Sequence, residues 1–246
     1  MNVVLLAAGL GSRLGTLTRD LPKALISVAG KPLLLHAVSF AAGLRPSRII
    51  VVGGFCFPQV KETLASFRAG NPDTAGLPID LVENTQFRDG NLVSLLTAKP
   101  LITEGFLVMN VDHIYRRSIA KVVAPEVSTV TAFIDTDRTL GNDDMKVERG
   151  ADGRIVSIAK TLTQFDCGYV GMSRVPTALL GRYFEEAHCA LAEEGRAIHV
   201  ERVLGRLAKT DLAPTCRDIS GHGWLEVDTP DERAAAEAAL AAGRWA

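Results

Sequence analysis

Short uninterrupted apolar runs alternate along this chain with longer stretches whose apolar residues fall at helical spacing. Runs of the first kind predict strands buried on both faces, and their alternation with helices predicts βαβ units around a mainly parallel sheet. Residues 3–8 form such a run and end at Gly9; 49–52 form a second, closed by Gly53-Gly54; 79–82 and 106–109 give two more, and 127–134 a fifth. Helices are predicted at 32–42, with Pro32 in the first turn, at 59–67, with Val60, Leu64 and Phe67 on one face, and at 91–99. The stretch 70–78, rich in Gly, Pro and Asp, reads as a connection.

The pattern changes after Asp135. Residues 135–144, DTDRTLGNDD, predict a polar, acidic loop. Strands at 145–148 and 154–160 flank Asp152-Gly153, a hairpin signal. A strand at 165–172, helices at 176–193 and 200–207, strands at 213–219 and 224–227, and an Ala-rich helix at 230–241 complete the chain. The expectation is one α/β domain over 1–246. Residues 1–135 form its core, and 136–246 form a smaller lobe with a closing strand and helix, folded over one edge of the sheet.

A chain of 246 residues buries roughly three quarters of its unfolded surface, enough to fold without disulfides or structural metal. Its formal charge is −1, so no global positive field attracts nucleic acid or anionic membrane. Any anion must be held by a local arrangement. Cys56, Cys167, Cys189 and Cys216 are scattered, with no CxxC pair and no histidine at zinc spacing. They read as free thiols, which with the absence of a signal peptide points to the cytoplasm. No apolar run reaches the ~18 residues of a membrane span.

Directly after the first predicted strand stands LAAGLGSRL (6–14). Small residues and glycines let backbone N–H groups approach a phosphate chain, and Arg13 adds charge. The dinucleotide fingerprint fails, because Leu14 occupies its last glycine position and no carboxylate ends the second strand. GxxxxGK[ST] occurs nowhere. What remains is a long loop, 9–22, ending in Pro22-Lys23. Arg19 and Lys31 read as solvated surface charges.

Two acids sit just past apolar runs: Asp112 after 106–109, and Asp228 after 224–227. Open α/β sheets gather ligands at the carboxyl ends of their strands, and two aspartates delivered there suit a hard cation such as Mg²⁺ that bridges phosphate oxygens. Asp228 is also placed to cap the last helix, although Thr229 or Asp231 can fill that role. No Ser-His-Asp or Cys-His pattern competes.

The string LAAGLGSRL…PKAL resembles the signature of the nucleotidyltransferase superfamily that makes activated sugars and alcohols. The resemblance implies a three-layer, Rossmann-like fold with a mixed, mainly parallel sheet and a small C-terminal lobe. It also implies that the loop wraps a triphosphate and that Leu6, Ala7, Ala8, Gly9, Gly11 and Ser12 bind the nucleotide. Arg13 would lie on the β/γ phosphates, Lys23 near the α-phosphate, and Mg²⁺ on Asp112 and Asp228. GNLVSLLTAK (90–99), MNVDHIY (109–115), DGRIVSIAKTLTQFDCGYVGM (152–172) and WLEVDTPDE (224–232) are most similar to CTP:inositol-1-phosphate cytidylyltransferases. That branch implies Asn91 and Ser94 beside base and ribose, with Asn91 an alternative helix cap. Lys146 and Lys160 would meet the acceptor's phosphate, and Asp166 would bind its hydroxyls or orient Lys160. His113 would stand beside metal or substrate rather than carry a proton. Inositol enzymes of this kind are often fused to a membrane phosphotransferase, for which this sequence offers no hydrophobic segment.

The expected reaction moves CMP from CTP to a small phosphate- or phosphonate-bearing acceptor: inositol-1-phosphate, phosphocholine, or hydroxyethyl- or aminoethylphosphonate. The alternatives are a sugar-1-phosphate uridylyl- or thymidylyltransferase and a nucleotide sensor without catalysis.

Overall fold

The computed structural model describes residues 1–243. The first apolar run forms β1 (Asn2–Ala7), with all six residues buried. A small hairpin, β2 (Ser27–Val28) and β3 (Lys31–Pro32), precedes α1 (Leu33–Gly43). There follow β4 (Arg48–Gly53), α2 (Phe57–Gly70), β5 (Ile79–Glu83), α3 (Asn91–Ala98) and β6 (Phe106–Asn110). These strands lie in the order β5-β4-β1-β6, all parallel, as strands linked by crossover helices must.

After β6 come β7 (His113–Tyr115), the single turn α4 (Ala120–Val123), and β8 (Thr131–Asp135). The hairpin β9 (Lys146–Arg149) and β10 (Ile155–Ala159) leads into β11 (Cys167–Val175). The chain ends with α5 (Leu180–Glu194), α6 (Glu201–Leu207), β12 (Thr215–Asp218), β13 (Trp224–Glu226) and α7 (Pro230–Ala241). β11 joins the two halves. It runs antiparallel to β6 through its last residues and to β8 on its other side, while Cys167 and Gly168 pair with β9. β12 lies beside β8, so both halves share one nine-stranded sheet.

The sheet's two faces carry separate cores. Val3, Leu5 and Ala7 of β1 face α1 and α2, whereas Val4 and Leu6 face α3, α5 and α6. Both faces of β1 are therefore covered, which is why its sequence shows no polar alternation. A third cluster, including Leu14, Ile26, Ile114, Val227 and Ala236, seats α7 against the early loop.

Three expectations need correction. The strand expected over 127–134 begins at Thr131, because its partner first engages where the Thr215 amide donates to the Val130 carbonyl. The strand expected at 224–227 does not enter the large sheet; β13 pairs antiparallel with β7, a three-residue strand too short to leave a periodic signal. Lys31 is half-buried, its ammonium donating to Ser39 Oγ and lying over the Phe67 ring. All four cysteines are free, and among the described residues no helix is long and apolar enough to cross a membrane.

Candidate active site

The loop that leaves β1 is built rather than slack. Ser12–Thr18 forms two 3-10 turns separated at Gly15 (φ 61°, ψ −124°). Leu14 anchors it in the third apolar cluster, and Thr18 Oγ1 donates to the Gly11 carbonyl at 2.8 Å. Gly11 has φ 70°, and a Cβ there would stand 2.7 Å from Lys23 Cβ. Only glycine lets the loop lie against the stem of Lys23. Arg13 and Lys23 are thereby brought to the same edge of β1.

β7 and β13 form a two-stranded ribbon off the main sheet, with His113 opposite Glu226. The Val227 amide donates to the Asp112 carbonyl at 2.9 Å, so the residues that follow the two strands come together. Lys23 Nζ donates to Asp112 Oδ2 at 2.6 Å and to Asp228 Oδ1, and Arg13 donates to the other oxygen of Asp228. Asp228 is 7% exposed. It is free of capping duty: Thr229 caps α7, accepting from the Glu232 amide, while Glu232 Oε2 accepts from the amides of Asp228 and Thr229 at 2.8 and 2.9 Å.

Burial opposes ionisation of Asp112, but Lys23 and His113 outweigh it and hold the carboxyl well below the usual carboxylate range. His113 Nδ1 lies 2.5 Å from Asp112 Oδ1. Burial disfavours its charged form, yet the facing Asp112 carboxylate more than compensates and raises its pKa. The imidazole is stacked between Tyr115 and Trp224, and its Cε1 would lie 2.9 Å from a Cβ at Gly171. Its position is fixed from three sides, as suits a group that orients Asp112.

Two clefts meet at these residues. The first, 350 Å³, is lined by all ten residues expected around the nucleotide: Leu6, Ala7, Ala8, Gly9, Gly11, Ser12, Arg13, Lys23, Asn91 and Ser94. Phe87, Arg88, Asp89 and His199, which the sequence pattern does not single out, complete its wall. The second, 150 Å³, is lined by His113, Lys160, Tyr169, His199, Glu201 and Glu226 among others. Arg13, Asn91, Asn110, Asp112, His199 and Asp228 line both.

The remaining expected residues are placed unevenly. Asn91 is the first residue of α3, whose cap is Gly90, so the capping alternative fails; its Oδ1 instead accepts from the Val200 amide at 2.8 Å, tying α3 to α6. Ser94 accepts from Asn84 Nδ2 at 3.0 Å. Lys160 is exposed at the rim of the second cleft. Lys146 does not line either cleft. Its ammonium is buried and donates to the carbonyls of Gly141 and Lys160, where it pins the acidic loop to the hairpin. Asp166 is likewise outside both clefts; it accepts from the Arg149 amide at 2.6 Å and forms no hydrogen bond or ion pair with Lys160 among the described residues.

The acidic loop reaches the site through Arg138, which stacks over Trp224 and pairs with Glu226 at 3.0 Å, and through Asp143, 3.4 Å from Arg13. Among the described residues no three His, Cys, Asp or Glu side chains cluster as a metal cage. The pair Asp112–Asp228 nonetheless fits Mg²⁺. Its oxygens already converge on one cationic nitrogen, and Mg²⁺ typically takes one or two carboxylates and completes its shell with phosphate and water.

The MobA-like NTP transferase domain matches residues 3–141. The chain is 29% identical over 236 residues to the bifunctional IPC transferase and DIPP synthase of Aquifex aeolicus, covering 94% of this chain and 50% of that protein. It is 29% identical over 251 residues to the CMP-5'-(3-aminopropyl)phosphonate synthase of Streptomyces rubellomurinus, covering 96% and 38%. The chain thus spans half or less of the length of these curated relatives. The inositol-1-phosphate CTP transferase from T. maritima shares the fold, with a TM-score of 0.78 at 20% identity over 94% of this chain and 90% of that one.

Proposed function

From the premise that this chain belongs to the MobA-like NTP transferase domain family, we propose that it transfers CMP from CTP to a small acceptor bearing a phosphate or phosphonate, releasing pyrophosphate. The observation that carries this reading is the convergence of Arg13, Lys23, Asp112 and Asp228 where the two clefts join. The choice of cytidine is supported by relatives whose names describe an inositol-1-phosphate CTP transferase and a CMP-phosphonate synthase.

The triphosphate lies along the first cleft, with its oxygens on the backbone of the glycine-rich loop and on Arg13 and Lys23. Those two cations exchange the carboxylates for phosphates, which leaves Asp112 and Asp228 to hold Mg²⁺. The bound ion would draw charge from the phosphate oxygens. Asn91, Ser94 and the Leu6–Ala8 backbone surround base and ribose. In the second cleft Lys160, rather than Lys146, meets the acceptor's phosphate or phosphonate. An acceptor oxygen, already ionised near neutral pH, attacks the α-phosphorus in line. The bond from α-phosphorus to the bridging oxygen breaks, and pyrophosphate leaves with the electron pair. The chain's part is alignment and charge neutralisation, and no general base is required. His113 keeps Asp112 ionised and oriented.

The test is a matrix of CTP, UTP, dTTP and GTP against inositol-1-phosphate, phosphocholine, 2-hydroxyethylphosphonate and 2-aminoethylphosphonate, read by pyrophosphate release with Mg²⁺. CTP should exceed every other nucleotide in kcat/KM by at least about tenfold for one of these acceptors. A clear preference for another base, or silence throughout, would overturn the proposal.

A further inference from the structure

The second cleft carries more negative charge than its neighbours neutralise. Most of its carboxylates have cations: Lys23 and Arg13 serve Asp112 and Asp228, and Arg138 serves Asp144 and Glu226. Glu201 does not. It lines the cleft, is 7% exposed, and has no lysine or arginine within ion-pairing distance among the described residues. Its own amide is the hydrogen-bond donor it has. Lys160 and His199 are felt electrostatically but do not pair with it, and burial pushes its carboxyl above the ordinary value. An acid in the first turn of a helix is ordinary on a solvated surface, where it answers the helix dipole. Burying it within a substrate cleft, without a counter-ion, costs far more than the dipole returns.

From this buried Glu201, which lines the second cleft without an ion-pair partner, we infer that the acceptor carries an ammonium group at the end opposite its phosphorus and that Glu201 selects it. The inference rests on the cytidylyltransferase reading of the site. The ammonium supplies the missing counter-charge, and the aromatic side chain of Tyr169 lies in the same wall. A hydroxyl in the same place would donate one hydrogen bond but leave the buried charge uncancelled.

Lys160 and Glu201 give the cleft one group of each sign, suited to a small zwitterion: phosphonate toward the cation and metal, ammonium toward the acid.

The experiment compares 2-aminoethylphosphonate with its isostere 2-hydroxyethylphosphonate, each with CTP and Mg²⁺, in the wild-type protein and in Glu201→Gln. The wild type should favour the amine in kcat/KM by at least about tenfold. Glu201→Gln should erase that preference by raising KM for the amine about tenfold or more, with a smaller change for the hydroxyl compound. Equal rates for both acceptors in the wild type, or equal losses for both in the variant, would overturn the inference; the wild-type comparison stands even should the variant not fold. Turnover of inositol-1-phosphate but not of the amine overturns it too, while sparing the cytidylyltransferase reading. Failure of CTP with every acceptor removes that reading and this inference with it.

Discussion

Lys23 holds together two carboxylates that would otherwise face each other across a narrow gap. Its side chain is 12% exposed, and Asp228 beside it 9%. Removing one partner from a buried ion pair strands the other and typically costs about 3–5 kcal/mol. Lys23→Met should therefore be destabilised by an amount of that order in urea unfolding, and MgCl₂ should restore far more stability to the variant than to the wild type. A variant as stable as the parent, or indifferent to Mg²⁺, would contradict the bridging role. Asp112→Ala should leave the fold in place but lower pyrophosphate release at least about hundredfold; near-normal turnover would refute its part in the reaction. Glu201 gives a pH test. Its carboxyl binds a proton more tightly in the fold than in the open chain, because burial raises its pKa. The ionised group then costs stability, and that cost grows as pH rises from about 4.3 through the raised value. Glu201→Gln should remove it: the variant should be the more stable protein at neutral pH, with the difference vanishing in acid. A constant difference across pH would exclude this origin. These residues also differ in how far sequence betrays them. Gly11, Arg13 and Lys23 stand in a recognisable string, and Asp112 and Asp228 each close an apolar run. Glu201 and His199 follow no period and no motif, since the packing of α6 on α5 and β10, and the bonds from 196–200 to the start of α3, bring them to the cleft.

At the scale of elements, the long apolar strands and the helices of the first half are legible because both faces of β1 and β4 are buried. The β7–β13 ribbon is not, because three residues leave no period and the pairing spans half the chain. Lys146 illustrates the same limit. Its place on a strand of the hairpin is readable, but the turn of the loop that captures its ammonium is set by tertiary contacts. The capping box of α7 does two tasks at once, since Glu232 grips the amide of Asp228 as well as that of Thr229. Thr229→Ala should cost about 1 kcal/mol through the lost cap. It should also reduce kcat more than KM for CTP, because the backbone bearing Asp228 loosens. An effect on Tm with no change in kcat would show that the cap serves stability alone.

At the scale of the whole molecule, the clefts share Arg13, Asn91 and Asp112, so filling one alters the walls of the other. On the proposed function, a triphosphate would have to draw Arg13 and Lys23 away from their carboxylates before both acids become available. Mg²⁺ alone should therefore raise the melting temperature of the wild type little. CTP with Mg²⁺ should stabilise the fold with the logarithm of its concentration, by about 2.7 kcal/mol at a hundredfold excess over Kd, and raise the melting temperature accordingly. Equal stabilisation by the metal without nucleotide would contradict that order. The ribbon adds a constraint of its own. Asp112 and Asp228 come from distant parts of the sequence, yet the amide of Val227 is fastened to the carbonyl of Asp112, so the two acids ride on a single small strut. A rocking movement of that strut would carry the pair like the prongs of a fork, changing its reach toward the substrates while preserving the gap between the tines.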